Sequence, residues 1–194
     1  MPDRPGVQFL PDGSIDYVKT YKAVHAINVG CTNNNWGIYY WSSWKHYLPG
    51  EDHYYEPILE VGCGNGRLCQ KLARRGHKNP CGIDVVAADY DRDGYEFITY
   101  DITKIPWPSP DNAYPLALAF DVFEHLPLCD LRPVVNEFLR VSERQVISVP
   151  HFQSEPDLHR VVESKEWWQK YLGCEWEVLC NSRRNATVFG RKGS

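Results

Sequence analysis

Four acidic residues stand at the ends of short apolar runs of this 194-residue chain, or directly after them: Glu60, Asp84, Asp101 and Asp121. A carboxylate at the end of a buried strand can accept hydrogen bonds from both hydroxyls of a ribose. No obvious lysine accompanies these acids, and this argues against a diphosphate at the same place. The residue types therefore favour a ribose-containing ligand that lacks a diphosphate.

A glycine-rich stretch adds a second binding feature. Residues 60–66 read Glu-Val-Gly-Cys-Gly-Asn-Gly and join an apolar run at 58–61 to a helical pattern at 67–75. Glycine lets a backbone approach a ligand closely, and the first turn of a helix supplies unpaired N–H donors. The pattern is a strand, a glycine turn and a helix, followed by a strand that ends at Asp84. This pattern predicts a nucleoside site.

The elements that must position these residues alternate between strands and helices after residue 57. We predict strands at 58–61, 80–84, 96–100, 116–120 and 145–149, and helices at 67–75, at 130–140 and after the cap residue Ser164. Two last apolar runs, at 176–180 and 186–190, predict a terminal hairpin. In an open α/β sheet the strand ends meet in one crevice, so the four acids could line a single ligand.

Length and composition predict one domain over residues 1–194, with a cap segment at 1–56 and a Rossmann-like core at 57–194. Eleven aromatic residues crowd the cap segment, and hydrophobic residues make up 43% of the whole chain, a typical value for a globular protein. No apolar run is long enough to span a membrane, and the first residues lack the core of a signal peptide. We therefore expect a cytoplasmic protein.

Charge and cysteine content argue against two classes of partner. Lys and Arg total 21 against 25 Asp and Glu, a net charge of −4, whereas proteins that bind nucleic acid usually carry a basic surplus. The seven cysteines contain no C-x-x-C pair. We therefore expect neither a zinc site nor a disulfide framework, and no bound metal.

These motifs resemble those of class I S-adenosylmethionine-dependent methyltransferases, in particular enzymes of the small-molecule type. Residues 60–66 are similar to the first motif of that family, Gly-Ile-Asp at 82–84 to the second, and Tyr-Asp-Ile at 100–102 to the third. Residues 105–126, which end in Glu-His-Leu, are similar to the fourth. The resemblance covers about residues 57–191. It implies a mostly parallel seven-stranded sheet of order 3-2-1-4-5-7-6 with one antiparallel strand, helices on both faces, and S-adenosyl-L-methionine as the cofactor.

The resemblance also implies a set of cofactor-binding residues. Two of them, Val85 and Ile102, are equally expected as ordinary core residues, and Asp121 could simply cap the turn that follows it. Glu60 and the backbone of Gly62, Cys63 and Gly64 would contact the methionine part, and Phe120 with Asp121 would lie near its ammonium group. Asp84 would bind the ribose. Val85, Asp101 and Ile102 would contact the adenine.

Three histidines follow the predicted fourth and fifth strands. Transfer of a methyl group needs a general base only if the nucleophile must lose a proton as it attacks, so positioning of the two reactants could suffice. His125 and His151 are the candidate bases, since both stand at carboxyl ends of strands. His159 is expected to order the loop before the last helix, or to line the substrate entrance.

The aromatic cap segment allows two interpretations. Trp36, Tyr40 and Trp41 could wall an acceptor pocket, exclude water and stabilise developing positive charge by cation–π contact. Alternatively, most of these rings could form a hydrophobic flap that packs on the sheet.

The predicted function is transfer of a methyl group to a small-molecule or sugar-like acceptor. Three alternatives remain: a nucleic-acid or protein acceptor, a homologue that binds the cofactor without catalysis, and an NAD-dependent oxidoreductase. The last is disfavoured because a dinucleotide turn would have a third glycine where Arg67 stands.

Overall fold

A single seven-stranded sheet is the centre of the computed structural model, which describes residues 8–13, 15–27, 36–86, 94–152, 158–182 and 186–193. The strand order is β3-β2-β1-β4-β5-β7-β6, which confirms the predicted order. The strands are β1 Ile58–Val61, β2 Pro80–Asp84, β3 Glu96–Thr99, β4 Tyr114–Phe120, β5 Ser142–Pro150, β6 Glu177–Ser182 and β7 Ala186–Arg191. Strands β1 to β5 pair in parallel, and β7 runs antiparallel to both β5 and β6.

Helices precede, connect and cover these strands. Short 3-10 turns occupy Lys45–Tyr47, Glu51–His53 and Phe123–His125. The α-helices are α1 Tyr17–Ile27, α2 Trp36–Tyr39, α3 Trp41–Trp44, α4 Arg67–Arg74, α5 Leu128–Arg140 and α6 Lys165–Leu172. None of the helices in the described residues combines the length and the apolar character needed to cross a membrane.

Alternate residues of each central strand face opposite sides of the sheet, as the pleat of a strand requires. One side packs against α5 and α6, with Phe138 and Trp168 fully buried there. The other side packs against α4 and the aromatic segment before β1, where Trp44 and Tyr47 are fully buried. Part of the cap segment therefore serves as a hydrophobic cover of the sheet, while residues 1–7, 14 and 28–35 lie outside the described residues.

The register of the parallel strands brings the predicted acids to one edge. Val61 pairs with Ile83 of β2 and with Ala119 of β4, so Asp84 and Asp121 lie beyond the same end of β1. Asp84 in turn pairs with Thr99, the last residue of β3. The chain thus gathers its strand-end carboxylates at the carboxyl edge of the sheet, the usual ligand site of an open α/β fold.

Candidate functional site

Three glycines shape the turn between β1 and α4. Gly62, Gly64 and Gly66 have φ angles of 65°, 53° and 69°, a left-handed conformation that costs other residues about 1–2 kcal/mol. A Cβ atom at Gly62 would lie 2.5 Å from Cγ2 of Val122, and one at Gly66 would overlap the Tyr95 ring. A Cβ at Gly64 would have no atom within 4 Å. The space beside Gly64 is therefore open to a ligand.

Asp84 is tied to this turn by its side chain. Its Oδ2 accepts a hydrogen bond of 2.9 Å from the N–H of Gly64, and its Oδ1 accepts one of 3.1 Å from the N–H of Val86. The carboxylate is partly exposed. These two bonds fix its orientation next to the open space at Gly64, which is where the resemblance expects a ribose.

The side chain of Glu60 is more deeply buried than is expected for a residue that contacts a ligand. Its side chain is only 4% exposed, and the Cys69 thiol of α4 donates a hydrogen bond of 3.1 Å to Oε2. Burial raises the pKa of Glu60 to about 8, so its carboxyl group is mostly protonated at neutral pH. Cys63 is also buried, and its Sγ packs where a side chain at Gly82 would stand. The contact of Glu60 with the methionine part stays a prediction.

The residues assigned to the adenine follow β2 and β3 at the same edge. Oδ1 of Asp101 accepts hydrogen bonds from the N–H and the hydroxyl of Thr103, at 3.0 and 2.7 Å. The carbonyl of Ile102 accepts a hydrogen bond of 2.7 Å from the Trp107 indole. Val85, Asp101 and Ile102 are all half-buried, so each has part of its surface at this edge.

Asp121 is held by the cap segment. Its φ of 64° is unusual for a residue other than glycine, and the indole Nε1 of Trp36 donates a hydrogen bond of 3.1 Å to its Oδ2. The Trp36 ring stacks on Tyr40, which is itself only 3% exposed. Phe120 is buried and packs against Trp44, so it belongs to the core on the cap side of the sheet.

Trp41, the third aromatic candidate, faces α4. The Lys71 ammonium lies 4.4 Å and the Arg75 guanidinium 4.7 Å from the centroids of its rings. These are cation–π distances. The structure therefore brings Trp36 to the strand-end acids, places Tyr40 in the core and directs Trp41 to the helix surface.

The two candidate bases have different surroundings. His125 donates a hydrogen bond from Nδ1 to the Leu158 carbonyl at 3.2 Å, and burial lowers its pKa to about 4. Its ring is neutral at pH 7 but is a weak base. His151 has both ring nitrogens engaged, Nδ1 with the Glu163 carbonyl at 2.7 Å and Nε2 with Oγ1 of Thr187 at 2.8 Å. A role as a base would require His151 to break one of these bonds.

Glu124 is a site residue that the sequence analysis did not identify. Its side chain is fully buried, and neither carboxylate oxygen has a hydrogen-bond partner. Burial, and next the charge of Asp121, raise its pKa well above the usual range. One potential ligand atom each of Asp121, Glu124, His125 and His159 lies within 4.8 Å of the others. The Glu-His-Leu ending of the fourth motif pointed to the place but could not reveal this burial.

Comparison with known families adds to this geometry. Residues 58–145 match the family model described as a methyltransferase domain. That range spans β1, the glycine turn and the strand-end acids, on a sheet whose order is the one expected for class I methyltransferases. This central part of the chain is thus similar to a methyltransferase domain.

Solved structures of the same fold include proteins with different activities. The [4+2]-cyclase SpnF is 16% identical, with a TM-score of 0.53 over 72% of this chain and 75% of that chain. The bifunctional kinase-methyltransferase WbdD is 14% identical, with a TM-score of 0.61 over 82% of this chain and 40% of that chain. The methyltransferase domain of bacterial CtHen1-CN is 14% identical, with a TM-score of 0.56 over 83% of this chain and 99% of that chain. At such identities the likeness shows the fold alone, and no curated protein sequence matches the chain.

Proposed function

We propose that the protein transfers the methyl group of S-adenosylmethionine to a small-molecule or sugar-like acceptor. The observation that carries this proposal is the pairing of Asp84 with Gly64, because an oriented carboxylate adjoins a glycine turn with open space beside it. The match of residues 58–145 to a methyltransferase domain supports the same chemistry.

The residues present fit this cofactor. Asp84 would accept hydrogen bonds from the ribose hydroxyls, and Asp101 would accept one from the adenine amino group. The backbone around Gly64 would adjoin the methionine part. When bound, the cofactor supplies an electrophilic methyl group together with its neutral leaving group.

Positioning of the acceptor is the main contribution that the protein would make. Near-attack alignment of two reactants can contribute about 7–11 kcal/mol. His125 would add little as a base near pH 7, because a pKa of about 4 makes its ring a weak proton acceptor. Trp36 would exclude water from one side of the site, since its indole adjoins Asp121.

The experiment is calorimetry with S-adenosylmethionine, S-adenosylhomocysteine and NAD on wild type, on Asp84→Asn and on the control Asp111→Asn. Asp111 is an exposed acid paired with Arg140 before β4. We expect wild type to bind the first two ligands and not NAD. Asp84→Asn should bind them at least about tenfold more weakly, because it loses a charged hydrogen-bond acceptor, whereas Asp111→Asn should bind normally. Binding of NAD without any response to S-adenosylmethionine would refute the proposal.

The acidic net charge of −4 supports a small acceptor over a polyanion. One basic surface, however, favours a polyanionic acceptor such as nucleic acid. A groove on α4 is lined by Arg67, Lys71, Arg74 and Arg75 together with Ile38 and Gln70. If the acceptor is nucleic acid, wild type should bind RNA or DNA oligonucleotides with an affinity that falls steeply with salt, and Arg74→Gln with Arg75→Gln should weaken that binding. Weak binding that does not depend on these two arginines would favour the small acceptor.

A further inference from the structure

We propose that four side chains at the carboxyl end of β4 bind one divalent metal ion of the Mn²⁺ or Zn²⁺ type: Asp121, Glu124, His125 and His159. Their potential ligand atoms lie within 4.8 Å of one another, close enough to move onto one ion by small side-chain rotations. The cysteine spacing gave no reason to expect a metal. This site instead combines carboxylates and imidazoles from two separate segments of the chain.

The buried carboxylate of Glu124 gives independent support. It is fully buried, and neither of its oxygens has a hydrogen-bond partner. A buried carboxylate without partners is costly, and acidic groups in such places are usually paired or bound to metals. A divalent ion would satisfy both oxygens and compensate the negative charge of Glu124 and Asp121.

Both imidazole rings are held in the tautomer that allows Nε2 to bind a metal. Nδ1 of His125 lies 3.2 Å from the Leu158 carbonyl, and Nδ1 of His159 lies 2.7 Å from the Phe152 carbonyl. A carbonyl oxygen can only accept, so Nδ1 carries the hydrogen in each neutral ring and Nε2 carries the lone pair. Histidines that ligate metals are commonly oriented by such a carbonyl on the other nitrogen.

Backbone hydrogen bonds bring the two segments together. The N–H groups of Arg160 and Val161 both donate to the Glu124 carbonyl, at 2.6 and 3.0 Å. His159 is thereby fixed beside the 3-10 turn Phe123–His125, and the rings of His125 and His159 lie 4.9 Å apart. The site does not depend on a long-range movement of either segment.

The donor atoms select the class of ion. Mg²⁺ and Ca²⁺ prefer ligand sets made of oxygen alone. Imidazole nitrogens suit transition metals and Zn²⁺, whereas carboxylates also suit Mn²⁺. Two imidazoles and two carboxylates thus favour Mn²⁺ or Zn²⁺ over Mg²⁺ and Ca²⁺.

A consequence for the reaction rests on the proposed function. A divalent ion at the end of β4 would lower the pKa of a hydroxyl bound to it, so that the hydroxyl would release its proton to solvent and no side-chain base would be required. Its oxygen would then form the bond to the methyl carbon as the carbon–sulfur bond breaks and S-adenosylhomocysteine leaves. The acceptor atom would then be an oxygen. Asp121 would serve as a metal ligand and not as a contact of the methionine ammonium.

The test is calorimetry on protein stripped with EDTA and titrated with MnCl₂, ZnCl₂, MgCl₂ or CaCl₂ in the absence of any methyl donor. We expect wild type to bind one Mn²⁺ or Zn²⁺ per chain, and Mg²⁺ and Ca²⁺ much more weakly. Glu124→Gln and His159→Gln should each weaken Mn²⁺ binding by more than about tenfold. Because no cofactor is present, failure of this proposal can be distinguished from failure of the proposed methyl transfer.

A matched control removes the same two side-chain types elsewhere. His53 and Glu56 form an exposed pair, with Nδ1 and Oε1 2.9 Å apart, so the double variant His53→Ala with Glu56→Gln should bind Mn²⁺ like wild type. Thermal unfolding supplies the fold check: Mn²⁺ should raise the Tm of wild type and of the control, but not of Glu124→Gln. In EDTA, Glu124→Gln should unfold at or above the wild-type Tm. No saturable binding by wild type, or equal affinity in Glu124→Gln, would overturn the proposal.

Discussion

Trp36 donates its indole N–H to Oδ2 of Asp121 over 3.1 Å, although the two residues lie 85 positions apart. This bond joins the aromatic segment before the sheet to the carboxyl end of β4. It also helps to hold Asp121 in its left-handed conformation, with φ at 64°. The cap segment is thus connected to the site by a specific polar contact as well as by hydrophobic packing.

A double-mutant cycle measures this contact. Trp36→Phe removes the N–H but keeps most of the ring, and Asp121→Asn removes the charge. In EDTA, we expect a coupling free energy of about 1–3 kcal/mol between the two substitutions in urea unfolding. Each single variant loses the hydrogen bond to the charged carboxylate, so the double variant cannot lose it a second time. The control cycle pairs Asp121→Asn with Trp41→Phe, whose ring faces α4, and should be additive. Additivity in both cycles would contradict the contact.

The stability of the protein should fall as pH rises, on account of Glu60. Burial raises its pKa to about 8 from an ordinary 4.5, so the folded state retains a proton that the unfolded state releases. The loss begins near pH 4.5 and is complete above pH 8, with an upper limit of about 5 kcal/mol. Glu60→Gln cannot ionise, so its stability relative to wild type should increase across this window.

Urea unfolding of both proteins at several pH values tests this expectation. Glu96→Gln on the partly exposed strand β3 is a suitable control, since its side chain is exposed. It should follow the wild-type dependence on pH. A constant difference between wild type and Glu60→Gln from pH 5 to pH 8 would mean that Glu60 titrates normally.

The fold could be predicted largely from the sequence, because the residues that begin and end its strands and helices are local signals. Glycines follow β1 and precede α4, and the strands predicted at 58–61 and 80–84 have the observed bounds. The sheet order came from the resemblance to a family. The segment 36–47 is divided into α2, α3 and a 3-10 turn, and Tyr40 is buried in the core between the first two.

The site was predicted only in part, because its distinctive features depend on tertiary packing. The acids at 84, 101 and 121 lie at the end of a strand or shortly after one, and could be identified from position. Glu124 is fully buried beside the loop that carries His159, whose next two N–H groups bond the Glu124 carbonyl, and a contact between such distant segments leaves no local pattern. In the same way, the sequence could not show that Trp41 would face Lys71 and not the acids.

His151 should prove to be a structural residue. Its two ring nitrogens connect the end of β5 to Thr187 of β7 and to the loop before α6. His151→Ala should lower the free energy of unfolding by about 1–3 kcal/mol, because the buried Thr187 hydroxyl and the exposed Glu163 carbonyl each lose a partner. His53→Ala, which breaks only an exposed pair, should cost less than about 0.5 kcal/mol. If the two variants are equally stable, the bonds of His151 contribute nothing to the fold.

Two glycines of the β1 turn should respond differently to the same substitution. Both Gly62→Ala and Gly64→Ala place a side chain in the left-handed region, at a cost of about 1–2 kcal/mol. The new methyl group at Gly62 would also stand 2.5 Å from Cγ2 of Val122, and overpacking of this kind adds about 1–3 kcal/mol. At Gly64 nothing lies within 4 Å, so only the backbone strain applies.

The order of stability should therefore be wild type, Gly64→Ala and Gly62→Ala. Adding Val122→Ala to Gly62→Ala should recover part of the lost stability, because it removes the methyl group that clashes. The order of ligand affinity should be different: Gly64→Ala fills the open space beside Asp84 and should bind S-adenosylmethionine at least about tenfold more weakly, since a close approach of the backbone is lost. Urea unfolding and calorimetry on the same four proteins give both orders. Normal affinity in Gly64→Ala would mean that the cofactor does not approach this turn.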